Sequence, residues 1–115
     1  MKKKEKNLKG VDEELYQNVS QGNLILFAIH LVSEKEEKCV FERLLKECFS
    51  LFPKIFSFPR FPDWPDSRKI DSSLRKLRKK KLIIGGPKTF FFLTSSGKKT
   101  AEETAKIFRQ RKLRI

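Results

Sequence analysis

The sequence predicts a mainly α-helical fold with one small β-hairpin, an α+β arrangement of a three-helix core followed by the hairpin and a C-terminal helix. Three observations carry this. Apolar residues recur at three- and four-residue steps in separate stretches, the helical signature. Two short runs rich in β-branched and aromatic residues flank the turn Gly85-Gly86-Pro87-Lys88, as in a hairpin. The 115 residues suit a single hydrophobic core. Residues 12–115 are therefore read as one domain, and residues 1–11, with four lysines in the first six positions, as a basic flexible arm.

Asp12 to Val19 reads as a short helical turn with Leu15, Tyr16 and Val19 inward, interrupted at Gly22. Asn23 is a candidate N-cap for the first main helix, Leu24 to about Ser33, which is apolar on most sides and so belongs at the centre of the domain. From Glu36 to about Leu51 the positions Val40, Phe41, Leu44, Leu45, Cys48 and Phe49 mark the inner face of a second helix, which Pro53 ends. Cys39 and Cys48 would then sit on nearly opposite sides of that helix, too far apart for a disulfide, and both read as buried free thiols.

Residues 52–65, FPKIFSFPRFPDWP, hold four of the five prolines and five of the thirteen aromatics. No regular element is expected at that proline density. The segment reads as a lid over the helices, with a dimer or protein contact, or stacking on unpaired bases, as the sharper alternatives. A third helix starts at Asp66 or Ser67, both good caps. It carries Ile70, Leu74 and Leu77 on one stripe, with Arg68, Ser72, Arg75 and Lys79 opposite and Lys69 and Lys76 flanking. Leu82 to Ile84 and Thr89 to Leu93 form the hairpin, with Phe41, Phe49, Phe90 and Phe92 expected in the core. The last helix starts at Thr94 or Ser95, or at Thr100, where Glu103 completes a capping box; Ala101, Ala105 and Phe108 give it an apolar side.

Charge is distributed unevenly along this framework. Residues 1–53 carry nine bases and nine acids, so the whole net charge of +13 falls on residues 54–115, with 18 bases against five acids. Because the excess spans the third helix as well as the terminus, it implies a positive surface that gathers polyanions.

Other function classes find little support. No apolar run is long enough for a bilayer span and none follows the basic start as in a secretory signal, so a cytoplasmic protein is expected, nucleoid-associated if prokaryotic. His30 lies inside an apolar helix without nearby ligands and reads as structural. Neither a Ser-His-Asp set nor a phosphate-binding glycine loop is present, so no enzyme, metal or cofactor is expected. Asp63, Asp66 and Asp71 invite a metal-nuclease reading, but capping and solubilising roles explain them more simply.

The stretch LRKLRKKKLIIGGPKTFFFLTSSGKKTAEETA resembles the recognition helix, wing and following helix of winged helix-turn-helix regulators of the PadR and MarR kind. The matching features are Leu74 and Leu77, the basic turn Lys79 to Lys81, the apolar strand Leu82 to Ile84, the loop Gly85 to Lys88, the strand Phe90 to Leu93 ending in Thr94, and Gly97 three positions later. The long proline-rich connection at 52–65 departs from the few residues usual between the second and third helices. The resemblance implies double-stranded DNA binding in transcription regulation. The helix at about 66–80 would enter the major groove with Arg68, Lys69, Ser72, Arg75, Lys76 and Lys79, while Lys80, Lys81 and the wing-tip Lys88 would hold the flanking backbone. A homodimer through the terminal helices is a further expectation. The rival readings are a protein-interaction adaptor, and an RNA or single-strand binder using the aromatic segment.

Overall fold

Ser20, not Asn23, starts the central helix: its hydroxyl accepts the Asn23 N–H at 3.2 Å. A hydroxyl at this position satisfies one of the amides that the first turn leaves without an internal partner. The structure, a computed structural model, describes residues 11–114, and the side chains of 11–112. The arm expected over 1–11 lies outside the described residues except for Val11, which is half-buried and donates its N–H to the Leu51 carbonyl.

Six helices and one two-stranded sheet follow in order. They are α1 (Glu13–Tyr16), α2 (Gln21–Glu34), α3 (Phe41–Leu51), α4 (Pro53–Phe56), α5 (Ser67–Lys79), β1 (Ile83–Ile84), β2 (Phe92–Leu93) and α6 (Ser95–Arg114). The mainly helical class with a small hairpin is thus present. Helix α2 is the hub. It packs against α3, α5 and α6, and Leu24, Ile25, Leu26, Ala28, Ile29 and Val32 are all fully buried. Gly22 lies within this helix and does not interrupt it.

The second helix is shorter than its periodicity suggested. Residues 36–40 precede it as a turn and an extended segment, because α2 closes with Glu36 in the left-handed region (φ 60°). There the Glu36 and Glu37 amides reach back to the Ser33 and Val32 carbonyls. Cys39 therefore sits outside α3, in extended chain, and its carbonyl accepts the Phe91 N–H at 3.0 Å. This contact sets a third stretch of backbone beside the hairpin. Both cysteines are buried free thiols; burial pushes Cys39 up to about 11 and Cys48 well above its usual value.

Regular structure also survives among the prolines. Pro53 occupies the first turn of α4, where its missing N–H costs no hydrogen bond. Phe52 and Phe56 are fully buried, with Phe52 edge-on to Tyr16 at 4.9 Å. The lid expected here is therefore half right: Phe52 and Phe56 are core, whereas Phe58, Phe61 and Trp64 are exposed.

In the hairpin, Ile83 faces Leu93 and Ile84 faces Phe92. That register turns Phe91 into the core and leaves Phe92 55% exposed and Phe90 only half-buried, the reverse of the expected parity. Phe41 and Phe49 are likewise only partly buried.

Candidate nucleic-acid interface

Helix α5 begins where the sequence placed it. The Asp66 carboxylate accepts the Lys69 N–H at 3.2 Å, and the following residues are mostly good helix formers. Ile70, Leu74 and Leu77 form the buried seam, at 0%, 2% and 4% exposure, against α2, α4 and β1. Burying such side chains stabilises by about 2 kcal/mol each. The seam fixes which way the rest of the helix faces.

Arg68, Ser72, Arg75, Lys76 and Lys79 are all exposed on this helix, as are Lys80 and Lys81 after it and Lys88 at the hairpin tip. Arg75 pairs with Asp71 one turn earlier, Nη2 to Oδ2 at 3.0 Å, yet its side chain stays 72% exposed. Among the described residues no other cation of this group has a carboxylate partner. Lys69 departs from the expectation: it is half-buried and its ammonium donates to the Ile55 carbonyl at 2.8 Å. It ties α5 to the segment that follows α3 and is withdrawn from the outward face.

The C-terminal end of α5 is built by a residue in an unfavourable conformation. Lys81 has φ 60°, its N–H bonding the Arg78 carbonyl and the Leu82 N–H the Leu77 carbonyl. Glycine is the usual occupant of this position, and a side chain there costs about 1 kcal/mol. Sequence reasoning did not single out Arg78. It braces the hairpin by donating from Nη1 to the Gly85 carbonyl at 3.1 Å. Gly85 itself has φ 104°, and a Cβ there would lie 1.8 Å from the Phe90 carbonyl oxygen, so the turn requires glycine. Nothing in the sequence marks Arg78 for this role, because its partner is a backbone atom seven residues on.

Thr94 joins the hairpin to α6. Its hydroxyl donates to the Lys81 carbonyl at 2.9 Å and accepts the Gly97 N–H at 3.1 Å, capping the helix. Thr100 lies inside that helix and does not begin it. A Cβ at Gly97 would sit 2.0 Å from the Leu82 carbonyl oxygen. The Thr94 and Gly97 pattern thus has a physical cause: one residue ties down the basic turn while the other lets α6 pass close beneath it.

A cavity of about 320 Å³ opens between the start of α2 and α5, lined by Ser20, Gln21, Asn23, Lys76 and Lys80 among others. Ser73 donates to the Gln21 side-chain carbonyl beside it. Two of the three aspartates have local roles, since Asp66 caps α5 and Asp71 pairs with Arg75, while Asp63 is exposed in the loop before α5. His30 contacts Glu34, Nε2 to Oε2 at 3.3 Å, and no group of three or more potential metal ligands occurs among the described residues. No helix of the described residues is long and apolar enough to cross a membrane.

Comparison of the chain with protein families, curated proteins and solved structures finds no match.

Proposed function

We propose that this chain is a winged-helix protein that binds double-stranded DNA, as a regulator of transcription or an accessory to one. In this reading α5 lies in the major groove, the β1–β2 hairpin is the wing, and the basic turn at Lys79 to Lys81 holds the flanking phosphates. The single observation that carries it is the outward face of α5, where Arg68, Arg75 and Lys79 stand exposed behind a fully buried seam.

Helix electrostatics alone do not account for that face. Cations in the last turn, such as Lys76, Arg78 and Lys79, offset the negative end of the helix dipole. Arg68 stands at the opposite end, where the dipole disfavours positive charge. An anionic partner supplies a reason for cations at both ends. The order α2, extended segment, α3, the short α4, α5 and hairpin also supports the reading, with the Cys39 carbonyl receiving the Phe91 N–H.

Base contacts fall to Arg68 and Arg75, whose guanidinium groups can address guanine edges, and phosphate contacts to Lys76, Lys79, Lys80, Lys81 and Lys88. A titration with duplex DNA, single-stranded DNA and RNA at two salt concentrations tests this. The duplex is expected to bind most tightly, with affinity falling as salt rises; equal binding of all three would point to charge alone, and no binding would reject the proposal.

A further inference from the structure

The segment between α4 and α5 is held by its own backbone. Ser57 and Pro65 form an antiparallel bridge, with the Phe58 N–H donating to the Trp64 carbonyl at 3.1 Å and the Asp66 N–H to the Phe56 carbonyl at 2.7 Å. Within it, the Phe61 N–H reaches the Phe58 carbonyl and the Trp64 N–H the Phe61 carbonyl, at 3.1 and 2.9 Å. Pro59 and Pro62 restrict the remaining dihedrals. Its side chains are therefore presented by a defined loop.

That loop turns its largest rings to solvent. Phe61 and Trp64 stack on one another, centroids 4.6 Å apart and planes 16° from parallel, yet they remain 52% and 57% exposed. A stacked pair that is more than half open can be extended by another planar ring. The chemistry around it selects the ring. Arg60 and Asp63 are both exposed in the loop, which runs directly into the Asp66 cap of α5 with Arg68 exposed in the first turn, and residues 54–69 together carry four bases (Lys54, Arg60, Arg68, Lys69) against two acids (Asp63, Asp66). A second copy of this chain would bring the same net positive charge to the same place, whereas a nucleic acid brings bases together with negative charge.

We propose that the Phe61–Trp64 stack receives unpaired nucleobases of a strand that leaves the duplex at the N-terminal end of α5. This rests on the DNA-binding reading above and adds a preference for duplex with an adjoining single-stranded stretch.

Trp64 is the one tryptophan of the chain, so its fluorescence reports on the stack directly. The experiment compares a blunt duplex, the same duplex with a single-stranded tail, and the same duplex with an abasic tail that keeps the phosphates. The tailed duplex is expected to quench Trp64, and the blunt and abasic forms to leave it nearly unchanged. F61A/W64A should bind the tailed duplex about ten-fold more weakly than the unmodified protein, while keeping its affinity for the blunt duplex.

Equal quenching by the abasic tail, or a silent Trp64 on a tailed duplex that binds, overturns the stacking proposal and leaves duplex binding intact. A Trp64 response to the tail alone, without binding of blunt duplex, retains the stack and rejects the duplex reading. If sedimentation of the free protein shows a dimer that F61A/W64A dissociates, the stack serves a second copy and the proposal fails.

Discussion

The two halves of the chain use the same charged residue types in opposite ways. In the first half Arg43 is held between Glu37 and Glu47, and Lys35 reaches the other oxygen of the buried Glu47 carboxylate. Burial disfavours the Arg43 cation, but the hydrogen bonds it donates to Glu37 and Glu47 outweigh it and hold its pKa above the ordinary value. In the second half Arg75 has one neighbouring carboxylate and 72% of its side chain in solvent. The contrast teaches that the charge of the Arg43 cluster is spent within the fold, whereas that of the outer face of α5 and the basic turn remains available to something outside it.

Substitutions sharpen this division, beginning with the close approach of α6 to the basic turn within the second half. Gly97→Ala should destabilise by about 3 kcal/mol, since a methyl group cannot share space with the Leu82 carbonyl without moving α6. Chemical denaturation measures the loss. Next in size, Arg43→Ala should lower stability by about 2 kcal/mol by leaving the Glu47 carboxylate short of a partner. Arg75→Ala, by contrast, should change stability by less than about 0.5 kcal/mol. Similar losses from the two arginine variants in parallel thermal melts would erase the distinction.

Lys81→Gly has the opposite expected sign on folding and separates stability from binding. Relief of the left-handed lysine should stabilise the fold by about 1 kcal/mol, while removal of one cation should weaken DNA binding. Opposite signs would indicate that the strained lysine is kept for its charge. A gain in stability with unchanged affinity would make it a local accident of the helix end.

The parts of the molecule that were legible in the sequence are those whose signal is local. The start of α5 followed from Pro65 and Asp66, and its buried seam from the spacing of Ile70, Leu74 and Leu77. The hairpin register was not legible, because Phe90, Phe91 and Phe92 are identical and a one-residue shift exchanges the inner and outer faces of a strand. The start of α3 was hidden for a similar reason. Val40 and Cys39 continue the apolar pattern backwards, although the left-handed Glu36 has already turned the chain.

Within the candidate interface, exposure of the α5 cations was readable from helical geometry. The withdrawal of Lys69 to the Ile55 carbonyl and the bracing of the hairpin by Arg78 were not, since both depend on backbone acceptors that tertiary packing brings into reach. The split of residues 52–65 into buried Phe52 and Phe56 and exposed Phe61 and Trp64 was also beyond composition, which makes all of them equally apolar.

The central claim is that cations on the outer face of α5 and its basic turn meet phosphates, and the salt dependence of duplex affinity measures this most directly. With about five phosphates neutralised, log affinity should fall against log salt with a slope near −4.5, and Lys76→Ala combined with Lys79→Ala should reduce that slope by about 1.8 without unfolding the protein. A flat response, or a double variant with an unchanged slope, would contradict the account.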